Sequence, residues 1–314
     1  MDLVSIPTNP VPEGAVVTAL RTPDGVNLRV ARWAPPAGRK GTVCLLQGRA
    51  EFIEKYFEVV KDLQARGFAV VSFDWRGQGL SDHALPDRNK GHVRSFAEYD
   101  RDLAAVMQEV VLPDCPPPHF ALGHSMGATA LIRAAHQGRR WFDRAVLTAP
   151  MIGLTGRAAS AMSRTTAKAM RLIGMGGSYI PTGGPRGIHS LPFEVSPLTS
   201  DPVRYARAGA ATEARPELSL GSPTVAWLDS AYSAMAAMAD PAYPLGLRHA
   251  RLIVAAGRDI IVSNTAIEQF AIRLRAGSHI VVPGSLHEVL MEQDRYRNQF
   301  WAAFDAFIPG SAGF

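Results

Sequence analysis

Short apolar runs recur along the chain, and helix-like segments separate them. The runs are TVCLL from 42, FAVVSFD from 68, HFAL from 119, RAVLTA from 144, RLIVAA from 251 and HIVVP from 279. Strands that are apolar without alternation are buried on both faces, as in a parallel sheet that helices cover on both sides. The pattern therefore predicts an α/β fold with a mostly parallel central sheet. Two further strand-like runs flank the turn PDG and predict a hairpin within residues 15–33.

No strand-like apolar run is visible between about 153 and 245. This segment is rich in Gly, Pro, Met and Ala, and it contains helix-like pieces at 157–173 and 223–237. Because the sheet pattern resumes at 251, we expect a mainly helical cap, residues 153–245, inserted into a core formed by 1–152 and 246–314. Such a cap would cover the carboxyl edge of the sheet, where open α/β sheets place their sites.

The charge and composition exclude several classes of partner. A net charge of +5 favours anionic surfaces, which is compatible with peripheral contact with an anionic membrane. No run of like charges or basic stripe with aromatic residues indicates nucleic-acid binding. No metal-ligand spacing or phosphate loop is visible, so we expect neither a metal nor another cofactor. The amino-terminal residues do not resemble a leader, and no stretch approaches a membrane span, so we expect a cytoplasmic protein that is compatible with peripheral membrane contact. The oligomeric state is left open.

The segment GHSMG, residues 123–127, joins a strand-like run to a helix-like one. A serine hydroxyl needs exposure on a tight turn, an imidazole base and donors for the developing oxyanion before it acts as a nucleophile. Small residues on both sides of Ser125 allow strand and helix to approach closely around such a turn. We therefore predict that Ser125 is the nucleophile.

The base and the orienting acid are expected later in the chain, because α/β-hydrolases have the order serine, acid, histidine. His287 lies in the loop after the last strand-like run and is the predicted base. Asp259 directly follows RLIVAAG, at the end of a strand, and is the predicted acid, with Asp240 as the alternative. His124 is adjacent to the serine, and we expect its side chain to point away from it.

The oxyanion donors are expected to be backbone N–H groups. The residue after the nucleophile, Met126, is the first, and the loop CLLQGRAEFIEKY offers Gly48 and Arg49 for the second. We predict Arg49, with Gly48 beside it in the substrate site. The Arg49 side chain has two equally plausible roles, contact with an anionic substrate group or a salt bridge with Glu51 or Glu54.

Several segments in order resemble α/β-hydrolases of the monoacylglycerol lipase-like group, close to bacterial lysophospholipases. The segments are QGRAEFIEKY, DWRGQGLSD, GHVRSFAEYDRDL, GHSMG, GRDIIV and LHE, and in the cap SPLTSDPVRYAR and LGSPTVAW. The resemblance begins near residue 15. It implies an α/β-hydrolase fold, a Ser125–Asp259–His287 triad and oxyanion donors at Arg49 and Met126. Gln47 stands where many relatives have histidine.

These features predict a serine carboxylic ester hydrolase that acts on lysophospholipids or monoacylglycerols through an acyl-enzyme. Met170 and Ile173, in the basic helix-like segment from 158, are predicted to contact the acyl chain, because Met-rich surfaces adapt to apolar ligands. The same segment is also compatible with a membrane surface or with a solvated basic face. The alternatives are an aminopeptidase-like serine hydrolase and a ligand-binding protein that has lost turnover.

Overall fold

A computed structural model describes residues 2–35 and 40–310. The described residues form one sheet of eight strands: β1 Ala15–Arg21, β2 Asn27–Trp33, β3 Thr42–Leu46, β4 Ala69–Phe73, β5 His119–His124, β6 Arg144–Thr148, β7 Ala250–Ala256 and β8 Gly277–Val282. The strand order is β1-β2-β4-β3-β5-β6-β7-β8. β1 and β2 form the predicted antiparallel hairpin, β2 also pairs antiparallel with β4, and the other neighbours are parallel. The predicted fold class is confirmed.

Helices cover both faces of this sheet. Their bounds are α1 Phe57–Ala65, α2 Ala97–Val106, α3 Leu112–Asp114, α4 Met126–His136, α5 Ala161–Leu172, α6 Pro202–Ala214, α7 Val225–Met238, α8 Asn264–Ala271 and α9 Asp294–Phe307. A π-helical segment, Met107–Val111, joins α2 to α3. None of the helices in the described part of the chain is long and apolar enough to cross a membrane.

The strand β7 shows why these runs are apolar without alternation. Its Leu252 and Val254 belong to an apolar cluster that includes residues of α1 and α9. The intervening Ile253 belongs to the opposite cluster, which includes residues of α2, α4, α7 and α8. Because successive side chains point to opposite faces and both faces are covered, every position of the strand from 252 to 256 is apolar.

The segment 153–245 contributes α5, α6 and α7. The predicted helical pieces at 157–173 and 223–237 correspond to α5 and α7. α6 was not identified as a helix from the sequence, although its start carries clear signals. The Asp201 carboxylate accepts hydrogen bonds from the N–H groups of Val203 and Arg204, and Pro202 occupies the first turn.

Candidate active site

Ser125 lies on the turn between β5 and α4 and has φ 50° and ψ −112°. A non-glycine residue rarely adopts such a conformation, and it persists only where the surroundings enforce it. Here the Ser125 N–H donates to Thr148 O at 3.0 Å, and the Met151 N–H donates to Ser125 O at 3.2 Å. These bonds to the β6 end and the following loop hold the serine at the carboxyl edge of the sheet.

Neighbouring atoms leave no space for a side chain at either glycine of GHSMG. A Cβ on Gly127 would lie 2.4 Å from Leu46 O and 2.5 Å from Gln47 O. A Cβ on Gly123 would lie 2.6 Å from Leu131 Cδ1, in the packing of α4 against β5. All three distances are shorter than a real Cβ contact. The helix that carries the serine can therefore approach β3 and β5 only because these positions lack a Cβ.

His287 connects Ser125 with Asp259. Its Nε2 is 3.1 Å from Ser125 Oγ, and its Nδ1 is 2.7 Å from Asp259 Oδ2. Both distances are within hydrogen-bond range. The three residues are contributed by the turn after β5, the loop after β7 and the loop after β8, so parallel strands bring distant parts of the chain to one edge. The alternative acid, Asp240, instead accepts a hydrogen bond from the Ala242 N–H.

Asp259 is held as a carboxylate. Its side chain is buried, which by itself would raise its pKa. The hydrogen bond and charge of His287 and the N–H groups of Ile261 and Val262, at 2.8 and 3.0 Å, outweigh burial and keep the pKa below its ordinary value. A carboxylate at this position accepts a hydrogen bond from Nδ1–H, which leaves Nε2 as the proton acceptor that faces Ser125.

The backbone around Arg49 and Met126 is suited to donate hydrogen bonds into the site. The neighbouring Gly48 N–H donates to Glu51 Oε2, and the Ala50 N–H donates to Gln78 Oε1 at 3.1 Å, with Ala50 at φ 62°. Within residues 2–35 and 40–310, neither the Arg49 N–H nor the Met126 N–H has a protein hydrogen-bond partner. Gly48, Arg49 and Ser125 line the same cavity.

A buried charged network, which was not predicted from the sequence, lies beneath this loop. Lys55 Nζ is 2.9 Å from Glu51 Oε1 and 2.5 Å from Glu288 Oε1. Burial would lower the pKa of Lys55, but the two carboxylates outweigh it and raise the pKa. Glu288 follows His287 directly, so the network joins the loop after β3, which contains Arg49, to the loop after β8, which contains His287. The spacing of Glu51 and Lys55, four residues apart, is the only local signal.

His124 occupies a different position from the one expected. Its ring lies against the His287 ring, with centroids 4.7 Å apart, and it lines the cavity rather than pointing away from the site. Its Nδ1 is 3.1 Å from Thr148 Oγ1. Burial lowers its pKa to about 4, so the ring is neutral at neutral pH. The expectation failed because the turn at Ser125 brings the end of β5 and the histidine loop together.

Ser125 and His287 line a cavity of about 1050 Å³. Its walls are contributed both by the sheet edge and by the segment 153–245, and they include the apolar side chains Met151, Leu154, Met162, Leu198, Leu220 and Leu228. A volume of this size accommodates a ligand larger than a short ester. A wall that combines these apolar side chains with polar groups such as Ser125 and His287 is suited to an acyl chain attached to a polar group.

Two residues that were expected to contact the acyl chain lie elsewhere. Met170 and Ile173 are absent from the cavity lining formed by the described residues, and Ile173 is 73% exposed. α5 instead presents Met162, Thr166 and Ala167 to the cavity. The prediction identified a helix that lines the cavity, but not the face of that helix that points inward. α5 packs on α7 through Ser163 and Tyr232, whose hydroxyls are 2.7 Å apart. The α5 sequence alone does not determine this contact between helices.

An eight-stranded, mostly parallel sheet with Ser125 at a strand–helix turn and Asp259 and His287 after later strands defines an α/β-hydrolase. The family model described as Hydrolase_4, serine aminopeptidase, S33, matches residues 37–294. The chain belongs to this family of serine hydrolases.

Two curated relatives are similar over most of their length. The chain is 34% identical to lysophospholipase L2 of Escherichia coli K12 over 272 residues, which are 82% of this chain and 76% of that protein. It is 26% identical to a probable lysophospholipase L2 of Haemophilus influenzae, over 87% of this chain and 85% of that protein.

Among solved structures, a soluble variant of monoglyceride lipase from Saccharomyces cerevisiae, in complex with a substrate analog, shares the fold. It superimposes with a TM-score of 0.75 over 95% of this chain and 97% of that chain, at 18% identity.

Proposed function

We propose that this protein is a carboxylic ester hydrolase that cleaves lysophospholipids or monoacylglycerols through an acyl-enzyme. The observation that carries the proposal is the continuous hydrogen-bonded chain from Ser125 through His287 to Asp259, whose Ser125 and His287 line a large, partly apolar cavity. The similarity to lysophospholipase L2 supports the same substrate class.

In this mechanism Ser125 Oγ attacks the ester carbonyl carbon while His287 Nε2 takes the hydroxyl proton. Asp259 orients the imidazole and stabilises its charged form. The alcohol group leaves with the proton from Nε2, and the acyl group remains on Oγ. Water then attacks the acyl carbon, Nε2 accepts its proton and returns it to Ser125, and the fatty acid is released.

The negative oxygen of each tetrahedral intermediate is assigned to the N–H groups of Arg49 and Met126. Preorganised donors at such a position contribute about 3 kcal/mol each to lowering the barrier in serine hydrolases. Their availability in the protein supports this role, since the N–H groups on either side of Arg49 are already engaged. Residues 153–245 would act as the cap that encloses the acyl chain, on a core formed by 1–152 and 246–314.

An aminopeptidase activity has less support. Recognition of a free amine needs an acidic group that is open to the site. Glu51 and Glu288 are the acidic residues that line the cavity within the described chain, and both are bonded to Lys55. Release of nitroaniline from aminoacyl nitroanilides at a rate similar to ester hydrolysis would favour the peptidase instead.

The proposed function is tested by labelling with a fluorophosphonate and by fatty-acid release from a panel of lysophospholipids and monoacylglycerols. Wild type should be labelled and should release fatty acid, whereas Ser125→Ala should do neither while folding normally. A protein that binds these lipids without turnover would support the ligand-binding alternative. Wild-type activity in Ser125→Ala would exclude Ser125 as the nucleophile.

Peripheral contact with an anionic membrane is a second part of the proposal. Leu172 and Ile173, at the end of α5, are 77% and 73% exposed, and Arg164 and Lys168 are exposed on the same helix. Exposed apolar side chains beside basic ones suit an anionic lipid surface. Wild type should sediment with phosphatidylglycerol vesicles more than with phosphatidylcholine vesicles, and Leu172→Gln should weaken this binding.

The exposed Ile272 of the α8 end provides a matched control. Ile272→Gln removes a similar apolar side chain from a different surface and should leave sedimentation unchanged. Equal effects of the two substitutions, or no binding by wild type, would exclude α5 as the membrane contact.

A further inference from the structure

The loop after β3, residues 47–52, carries the proposed oxyanion donor and is here called the oxyanion loop. The Arg49 side chain extends from this loop into the cavity. Its Nη2 donates to Gly221 O, and its Cζ lies 5.3 Å from the centre of the Trp227 ring. The absence of a Cβ at Gly91 makes room for it, since a Cβ there would lie 2.8 Å from Nη2. The guanidinium is therefore held at a defined position in the wall of the cavity that contains Ser125.

This cation has no anionic partner within residues 2–35 and 40–310. The two glutamates that follow it in the sequence are engaged elsewhere, Glu51 with Lys55 and Glu54 with Arg29, so the salt bridge considered from the sequence does not form. Arg49 Nε is buried without a hydrogen-bond partner among the described residues. Burial lowers the pKa of Arg49 to about 10. A buried charge without an opposite charge is unfavourable, so an anionic ligand would gain from meeting it.

The length of the Arg49 side chain suits one class of anion. The chain from Arg49 N to Cζ contains as many bonds as the path from the ester carbon to phosphorus in a 1-acyl lysophospholipid. If the Arg49 N–H contacts the oxyanion, its guanidinium is therefore within the range that the phosphate reaches. A guanidinium with a free Nε is also well suited to phosphate oxygens.

We propose that the Arg49 side chain binds the phosphate of a lysophospholipid while the N–H of the same residue binds the ester oxyanion. The inference rests on the proposed ester hydrolase function and narrows it, because a monoacylglycerol has no phosphate. The competing explanation is that Arg49 only anchors its loop to Gly221 O. An anchor would affect neutral and charged substrates alike, whereas a phosphate site affects the charged substrate more.

The first experiment compares two substrates with the same acyl chain, 1-lauroylglycerol and 1-lauroyl-glycero-3-phosphate, in micelles of a neutral detergent. Wild type should prefer the phosphate substrate in kcat/KM. Arg49→Met should lower kcat/KM for the phosphate substrate about tenfold more than for the neutral one, as expected for a lost charge-assisted hydrogen bond. Equal losses on both substrates would overturn the inference.

A second variant displaces the Arg49 guanidinium without replacing Arg49 itself. In Gly91→Ala the new Cβ would displace the end of the Arg49 side chain, and the φ of Gly91 allows alanine. This variant should also reduce the preference for the phosphate substrate. An unchanged preference in a Gly91→Ala protein that unfolds at the wild-type temperature would count against the site.

A soluble probe removes effects of the micelle surface. Glycerol 3-phosphate should compete with p-nitrophenyl butyrate in wild type, and Arg49→Met should raise its inhibition constant about tenfold. Arg186 also lines the cavity but is exposed, so Arg186→Met provides the matched control and should keep both the inhibition and the phosphate preference.

The outcomes separate the inference from the proposed function. Loss of phosphate preference in Arg186→Met but not in Arg49→Met, or no inhibition of wild type by glycerol 3-phosphate, overturns the Arg49 site while ester hydrolysis stands. Hydrolysis of neither lipid by wild type overturns the proposed function itself.

Discussion

Lys55 and Glu288 are 233 residues apart in the sequence, and their side chains form a buried ion pair of 2.5 Å. Lys55 also pairs with Glu51, which accepts the Gly48 N–H in the oxyanion loop. Glu288 adjoins His287. One cation thus links the loop that carries the proposed oxyanion donor to the loop that carries the proposed base.

Lys55→Met should destabilise the protein strongly, because two buried carboxylates lose their cation. We expect a loss of about 3–5 kcal/mol in the free energy of unfolding, measured with urea. The control is Arg215→Met, which breaks the exposed pair of Arg215 and Glu217 and should cost less than about 1 kcal/mol. Similar losses in both variants would show that the buried network contributes little.

Asp259→Asn should lower kcat for ester hydrolysis by about four orders of magnitude with little change in fold, because the amide holds the histidine in the wrong tautomer. Asp240→Asn is the matched control, since Asp240 is bonded to a turn N–H at Ala242. It should keep most of the activity. The acid assignment would have to be reversed if the large loss appeared in Asp240→Asn instead.

Gly127→Ala should destabilise the protein by about 3 kcal/mol or more, because the new Cβ would meet the carbonyl oxygens of Leu46 and Gln47. Gly209→Ala provides the contrast. Gly209 lies inside α6, and its Cβ would be 3.5 Å from His189 O, an ordinary contact. This variant should be more stable than wild type by up to about 1 kcal/mol. Thermal unfolding measures both changes: the unfolding temperature should fall in Gly127→Ala and rise in Gly209→Ala.

Glu58 should make stability depend on acid pH. It bonds to Arg204, Arg207 and Arg297, and although burial would raise its pKa, these arginines lower it from 4.5 to about 2. Because the pKa of Glu58 is lower in the folded state than in the unfolded state, Glu58 stabilises the folded state when the pH is above the ordinary pKa. This contribution is lost as the pH falls from about 4.5 towards 2.

Glu58→Gln should therefore cost on the order of 2–3 kcal/mol at neutral pH and clearly less at about pH 3. Urea unfolding at both pH values measures the difference. The exposed Glu109 serves as the control, and Glu109→Gln should have little effect at either pH. A cost of Glu58→Gln that does not change with pH would contradict the role of these ion pairs.

Chain-length preference tests the cavity. Lengthening a p-nitrophenyl ester from acetate should raise kcat/KM, because each buried methylene contributes about 0.8 kcal/mol before ordering costs. Ala167 is buried in α5 and lines the cavity, so Ala167→Phe should impair long-chain esters more than acetate. Met170→Gln, on the same helix but outside the cavity, should not change the chain-length profile. A wild-type optimum at acetate would contradict the acyl site.

The sequence by itself determined the fold class and the candidates for the triad, because both depend on local patterns. Unbroken apolar runs such as RLIVAA require a sheet that is covered on both faces, and a serine between two glycines at a strand–helix junction requires a tight turn. Asp259 and His287 were found from their positions after strands, since parallel strands bring their carboxyl ends to one edge. The boundaries of the cap at 153 and 245 stay a prediction.

Only the tertiary structure decided which side chains meet across the molecule. The pairing of Lys55 with Glu288, the packing of His124 on His287 and the inward face of α5 depend on contacts between segments far apart in the chain. The surroundings of Arg49 also could not be predicted from the sequence alone. Its sequence neighbours Glu51 and Glu54 suggest a salt bridge, but both pair with other cations. In the part of the chain that the structure describes, the guanidinium therefore has no anionic partner in the wall of the cavity. Local sequence states which charges exist, and the folded chain determines which of them are neutralised.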